Sequence, residues 1–304
     1  MEFQQCGLGV RRRVRAVAGV VSGGLLAMSL ATVSGCSTET AADERPGGTA
    51  RGSAVTVLHR AADVLVRSGS SRVRTTMETA TGGTRVSIRG SGAYDFEKRR
   101  GRLRLLLPRD AMGAAEHAPI TELLASGALF MRNRGAGIPR DKWVRVDTTD
   151  IPDGNLVTGG ATDPLTAAEL LRGVRKASLV GEEGLDGDLV RHYRGITDIG
   201  RAARLASEGA RGSLVAAARG FGESAVTFDA YLDGLGRLRE VRHRFTVTSR
   251  TDGQEATAGP DATRRRGAVG VASTTELYDF GAPAVVELPK PTDIYTGKVG
   301  SPQK

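Results

Sequence analysis

The sequence predicts an α+β fold in which one large curved antiparallel sheet packs over a few helices. Three observations predict it. One helix-period segment near residue 55 precedes a long series of segments in which apolar and polar residues alternate. Asp163-Pro164 opens a second helix, and Asp233-Gly234 separates two further alternating runs in the manner of a β-hairpin.

Taken in order, Val55, Leu58, Ala61, Ala62 and Leu65 share one helical face, and the helix stops at Ser68-Gly69. Strands follow at Val73, Thr75, Met77 and Thr79, at Val86 and Ile88 through Tyr94, and at Leu103, Leu105 and Leu107 before Pro108. Leu129 with Met131 and the segment Lys142–Asp147 add two more. Arg72, Arg74, Arg89, Arg102 and Arg104 fall between these apolar positions, so the sheet has one wet side and one side that must be covered. Asp163 suits an N-cap and Pro164 a first helical turn, with Ala167, Leu170, Leu171 and Val174 on one face. A strand is expected at Leu189–Thr197. The Ala- and Arg-rich stretch 198–220 is then expected as a helix interrupted near Gly209 and Gly212, a movable piece whose Arg201, Arg204, Arg211 and Arg219 face either water or anionic lipid. In the hairpin, Val226, Phe228, Ala230 and Leu232 alternate before the turn, and Val241, His243, Phe245 and Val247 after it. Residues 250–268 are polar and contain Arg264-Arg265-Arg266, which predicts a long exposed loop before a last strand at Val271–Phe280. Glu182-Glu183, flanked by Gly181 and Gly184, reads as an exposed turn.

The N-terminus carries a different signal. Arg11, Arg12, Arg13 and Arg15 precede an apolar run from Ala16 to Ser34, which ends in Val33-Ser34-Gly35-Cys36. This resembles a bacterial lipoprotein signal with its lipobox. The resemblance implies that residues 1–35 are removed and that Cys36 takes a diacylglyceryl group, which places the protein at the extracytoplasmic face of the cell membrane. An uncleaved anchor is the alternative, although Gly19, Ser22, Gly23 and Gly24 make the span weakly apolar. Residues 36–54 are small and polar, a flexible tether reaching roughly 20–25 Å. A single folded domain is expected at 55–297, with a tail at 298–304.

Composition narrows the function. The net charge of +9 falls to +6 once residues 1–35 are removed, and 37 of the 43 basic residues are arginine. In an exported chain that mild excess points to anionic lipid or to a solvated surface before nucleic acid. Aromatic residues are only 4% of the chain, which weakens stacking on bases or sugars. Cys6 and Cys36 are the only cysteines, and both lie outside the predicted domain, so no disulfide supports it. His59, His117, His192 and His243 are not spaced as metal ligands, so no metal or cofactor is expected. Ser301-Pro302-Gln303-Lys304 is a Ser-x-x-Lys match at an unshielded terminus, and no nucleophile-elbow or phosphate-loop pattern occurs, so no enzyme is expected. A His192 or His243 pairing with Asp188 or Asp279 is conceivable, but a strand-face or core histidine is the simpler reading.

The lipobox, the helix at 55–67, Asp163-Pro164, Tyr231-Leu232-Asp233-Gly234, Leu277-Tyr278-Asp279-Phe280-Gly281 and Pro289 together resemble the LppX and LprG type of envelope lipoprotein, whose fold is similar to that of the LolA and LolB carriers. The resemblance covers residues 55 to about 296. It implies a LolA-like half-barrel whose concave face and helical lid enclose an apolar cavity for acyl chains. The long segment at 250–268 and the interrupted helix depart from that pattern. Residue chemistry makes the same suggestion, because helices rich in Ala leave space under a wide sheet. The expected lining is Val73, Met77, Val86, Ile88, Leu103, Leu105, Val226, Phe228, Val241 and Phe245; the same residues would equally build a dry, closed core. The expected function is a membrane-anchored monomer, without nucleic-acid partners, that binds or carries a lipid or glycolipid. The alternative is an anchored binding or sensor module for another envelope component.

Overall fold

A computed structural model describes residues 54–81, 84–108, 118–134, 137–221, 223–248 and 268–297. They lie within one compact unit, Arg45–Lys304. Residues 1–53, with the expected signal peptide and Cys36, lie outside the described residues, as do 249–267 and 298–304. Among the described residues no helix is long and apolar enough to cross a membrane.

Residues 54–59 form a short helical stretch that continues, after Arg60, as α1 (Ala61–Arg67). Its Leu58, Ala61, Ala62 and Leu65 are buried, as their spacing predicts. Six strands follow: β1 (Ser70–Thr81), β2 (Thr84–Asp95), β3 (Arg100–Leu106), β4 (Ile120–Ala125), β5 (Ala128–Arg132) and β6 (Val144–Asp147). After α2 (Pro164–Leu170) come β7 (Val174–Leu185), β8 (Asp188–Asp198), α3 (Ile199–Leu205), α4 (Glu208–Gly220), β9 (Ala225–Leu232), β10 (Leu238–Thr248) and β11 (Ala268–Tyr278). All eleven strands join one open curved sheet in the order β6-β5-β4-β3-β2-β1-β11-β10-β9-β8-β7, with every neighbouring pair antiparallel. The last strand therefore pairs with the first and closes the middle of the sheet. Small residues on the concave side help it bend: a Cβ at Gly92 would lie 1.9 Å from the Arg102 carbonyl oxygen, and one at Gly195 would lie 2.3 Å from that of Lys176.

Asp163 caps α2 as its sequence suggests, accepting from the Thr166 amide at 2.7 Å with Pro164 in the first turn. Two local expectations are corrected and one strand missed in the sequence is accounted for. Gly181–Gly184 is not a turn: it continues β7, and the reversal occurs at Asp186 and Gly187, both at positive φ. Because β7 is an edge strand with little to bury, it lacks the alternation that would reveal it. The break in 198–220 falls at Ala206-Ser207, while Gly209 and Gly212 lie inside α4. β4 has no clean alternation because Leu123 packs outward against Val286 and Leu288 of the C-terminal segment, so both faces of the strand are covered.

Candidate functional site

The alternation in each strand puts all ten expected lining residues on the concave face. Register makes this concrete: Ile88, Met77, Ser273, His243 and Phe228 form one row across β2, β1, β11, β10 and β9, and Gly90, Thr75, Thr275, Val241 and Ala230 form the next. Leu105 and Leu103 extend that face into β3, opposite Gly90 and Gly92.

The helices and one irregular segment cover most of it. Val73, Leu103, Leu105, Phe228 and Val241 are buried in a core shared with α1, α2 and Leu58, against which Ile88 is half-buried. Met77, Val226 and Phe245 are buried in a second core, under Ile199, Leu214 and the alanines of α3 and α4. Val86 differs: it is 43% exposed at the rim. Val247 and Val269, paired across β10 and β11, are likewise only half-buried.

Between the two cores runs a polar seam of Thr75, Thr275, Ser273 and His243, all buried. Thr162 reaches into it, its hydroxyl donating to the Leu156 carbonyl at 2.7 Å and lying 2.6 Å from that of Ser273. Thr162 belongs to the irregular segment 148–163, which folds onto the concave face. Asp153 organises that segment by accepting from the amides of Asn155, Val157 and Thr158 at 3.1, 2.7 and 2.8 Å. Arg134 holds it from outside through the carbonyls of Gly159 and Thr158. Gly160, at φ 99°, brings it within van der Waals reach of Ile88 and Leu105.

Among the described residues, several concave polar atoms have no hydrogen-bond partner: Ser71 Oγ, Thr75 Oγ1, His243 Nε2 and both carboxyl oxygens of Glu122. Glu122 sits opposite Leu103 and Met131, fully buried, and that burial pushes its carboxyl up to about 8 despite the charge of Arg134. Burial likewise depresses His243, to about 3. Glu122 escaped the sequence reading because β4 did, although its place between Ile120 and Leu124 marks it as inward-facing once the strand is known. At the start of α2, a cavity of about 30 Å³ lined by residues that include Tyr94, Arg99, Leu124, Asn155 and Asp163 is large enough for one or two waters but not for an acyl chain.

His192 and His243 do not share a site. His192 projects from the outer face, stacked on Tyr231, with Nε2 2.8 Å from Asp229 and Nδ1 3.0 Å from Glu183. Its partners are thus neither Asp188, which pairs with Arg239, nor Asp279. Burial raises the Asp229 carboxyl, but hydrogen bonds from Arg244, His192 and Arg194 outweigh it and hold the group at about 2. With carboxylates on both ring nitrogens, His192 is a structural tie between β7, β8 and β9 and has no free nitrogen for base catalysis.

No family model and no curated protein matches this chain. Solved structures similar to it include LppX from Mycobacterium tuberculosis, at 10% identity over 78% of this chain and 99% of that one, with a TM-score of 0.42. LprF from Mycobacterium bovis is 12% identical over 79% of this chain and 97% of that one, with a TM-score of 0.39. A LolA superfamily protein from Nitrosomonas europaea is 11% identical, covering 80% of this chain and 97% of that one, with a TM-score of 0.32.

Proposed function

We propose that this protein is an extracytoplasmic lipoprotein, held at the membrane through diacylglyceryl Cys36, that binds an acyl-bearing lipid along the concave face of its sheet. The observation that carries this reading is the uncovered rim. Val86, Ile88, Val247 and Val269 belong to the same apolar face that the helices and the 148–163 segment seal elsewhere, yet these four remain partly open to solvent. An apolar strip continuous with a core covered by small-residue helices and an irregular segment suits an elongated apolar guest, which enters at the rim as the cover shifts.

The alternative is an anchored module that recognises another envelope component without a lipid guest. The tight packing of Val73, Leu103 and Phe228, each 0% exposed, favours it.

The test is lipid analysis of the full chain purified from a membrane-containing bacterial host. Wild type should retain an extractable lipid, and Val86→Trp, which fills the rim, should retain several-fold less. Cys36→Ala should lose incorporation of a fatty-acid label. A wild type without extractable lipid sinks the carrier reading, and a wild type that takes up no fatty-acid label sinks the anchor.

A further inference from the structure

The outer face of the sheet divides into two electrostatic halves. On β8 to β11 the arginines are matched with acids: Arg194 and Arg244 with Asp229, and Arg242 with Glu78. Arg74, at the boundary on β1, lies near Asp186 and Glu276 and over the ring of Tyr278. On β1 to β3 the pattern reverses. Arg72, Arg89, Arg102 and Arg104 are all exposed, and none has an ion-pair partner among the described residues.

The register concentrates these four. Arg72 and Arg102 flank Ala93 on the intervening strand, Arg104 lies opposite Ser91, and Arg89 lies opposite Leu106. Strands are about 4.8 Å apart, so the guanidinium stems of Arg72 and Arg102 rise roughly 10 Å from each other over a floor of small residues. That floor belongs to a groove of about 290 Å³ whose opposite wall is the C-terminal segment Pro283–Val286. Two large apolar side chains stand exposed beside the cations: Leu106 is 52% exposed and Val285 is 83% exposed.

We propose that this half of the outer face docks on an anionic membrane surface, with phosphate headgroups seated against Arg72, Arg102 and Arg104 and with Val285 and Leu106 entering the headgroup boundary. Charge selects an anionic occupant, since four like charges on neighbouring strands repel one another without counter-charge. The adjoining exposed apolar side chains select a surface with an apolar layer beneath its charge, which a soluble anion lacks. This is a different face from the lipid-binding one. The helix arginines Arg201, Arg204, Arg211 and Arg219 lie on elements that pack against the concave side.

The experiment is hydrogen exchange on the full chain reconstituted into vesicles of phosphatidylcholine alone or with phosphatidylglycerol. Residues 284–288 form neither helix nor strand, so their amides report docking directly. Exchange there should slow about fivefold or more on the anionic vesicles. Joint substitution Arg72→Gln, Arg89→Gln, Arg102→Gln and Arg104→Gln should abolish the slowing, whereas Gln at the four helix arginines should leave it intact. Val285 lies outside every strand, so Val285→Asp breaks no strand pairing and should weaken the protection even if the quadruple variant folds poorly. The proposal is overturned by equal exchange on both vesicles, by protection that survives Val285→Asp and the outer substitutions, by protection that depends on the helix arginines instead, or by equal protection from inorganic phosphate with phosphatidylcholine alone.

Discussion

A buried carboxyl between Ile120 and Leu124, without a hydrogen-bond partner among the described residues, sets the pH response of this domain. Glu122 titrates near 4.5 when unfolded and near 8 when buried, so the folded state holds the extra proton between those values. Its contribution to stability is complete below about 4.5 and is lost as pH rises through 8. His243 acts in the opposite sense. Its folded value of about 3 lies below the ordinary 6.5, so stability is present above 6.5 and declines as pH falls towards 3. The two together predict a stability maximum between pH 4.5 and 6.5. Glu122→Gln should flatten the alkaline limb and raise the melting temperature at pH 8 by roughly 3–8 °C. His243→Leu should flatten the acid limb. Thermal melts from pH 4 to 9 check both, and an unchanged wild-type slope in Glu122→Gln would show that the carboxyl is ionised and solvated in the fold.

At the scale of elements, the segment 148–163 is the least regular piece of the cover and depends on few residues. Asp153 supplies acceptors for three amides, and Gly154, at φ 59°, lets the chain pass so close to α4 that a Cβ there would lie 1.9 Å from the Ser213 carbonyl oxygen. Asp153→Ala leaves those amides without their acceptor and should cost about 1–3 kcal/mol. If the segment opens independently of the sheet, exchange at residues 155–158 should accelerate more than tenfold while β9 and β10 stay protected. Uniform acceleration across the sheet would mean that segment and sheet open as one unit. Other elements were legible beforehand to differing degrees. α2 was, because Asp163-Pro164 is a local cap; β7 was not, because an edge strand buries little.

For the whole molecule, the division between sealed core and open rim predicts different responses to the same added volume. Val226→Trp overpacks a core in which Val226 is 2% exposed beneath α3 and α4, and should lower stability by about 1–3 kcal/mol. Val86→Trp places its ring at a rim 43% exposed and should leave the melting temperature within about 2 °C of wild type. Paired melts of the two variants check this; equal losses would mean that the rim is as closed as the core.

Sequence alone was enough to establish the α+β class, the antiparallel sheet, the wet and covered faces and the positions of α1, α2 and the β9–β10 hairpin. Each of these depends on spacing within one segment: period 2 sorts side chains between faces, and a cap or turn needs only a few consecutive residues. Which concave residues are sealed and which stay open was decided by the tertiary structure, because α3, α4 and 148–163 cover strands far from them in the chain. The same holds for the arginines. Alternation placed Arg72, Arg74, Arg102 and Arg104 on the wet face alike, but the register across β1, β11, β10 and β9 gives the arginines of one half acid partners and leaves Arg72, Arg102 and Arg104 without one among the described residues. Pairing between charges is a property of strand neighbours, and strand neighbours such as β1 and β11 are nearly two hundred residues apart in sequence.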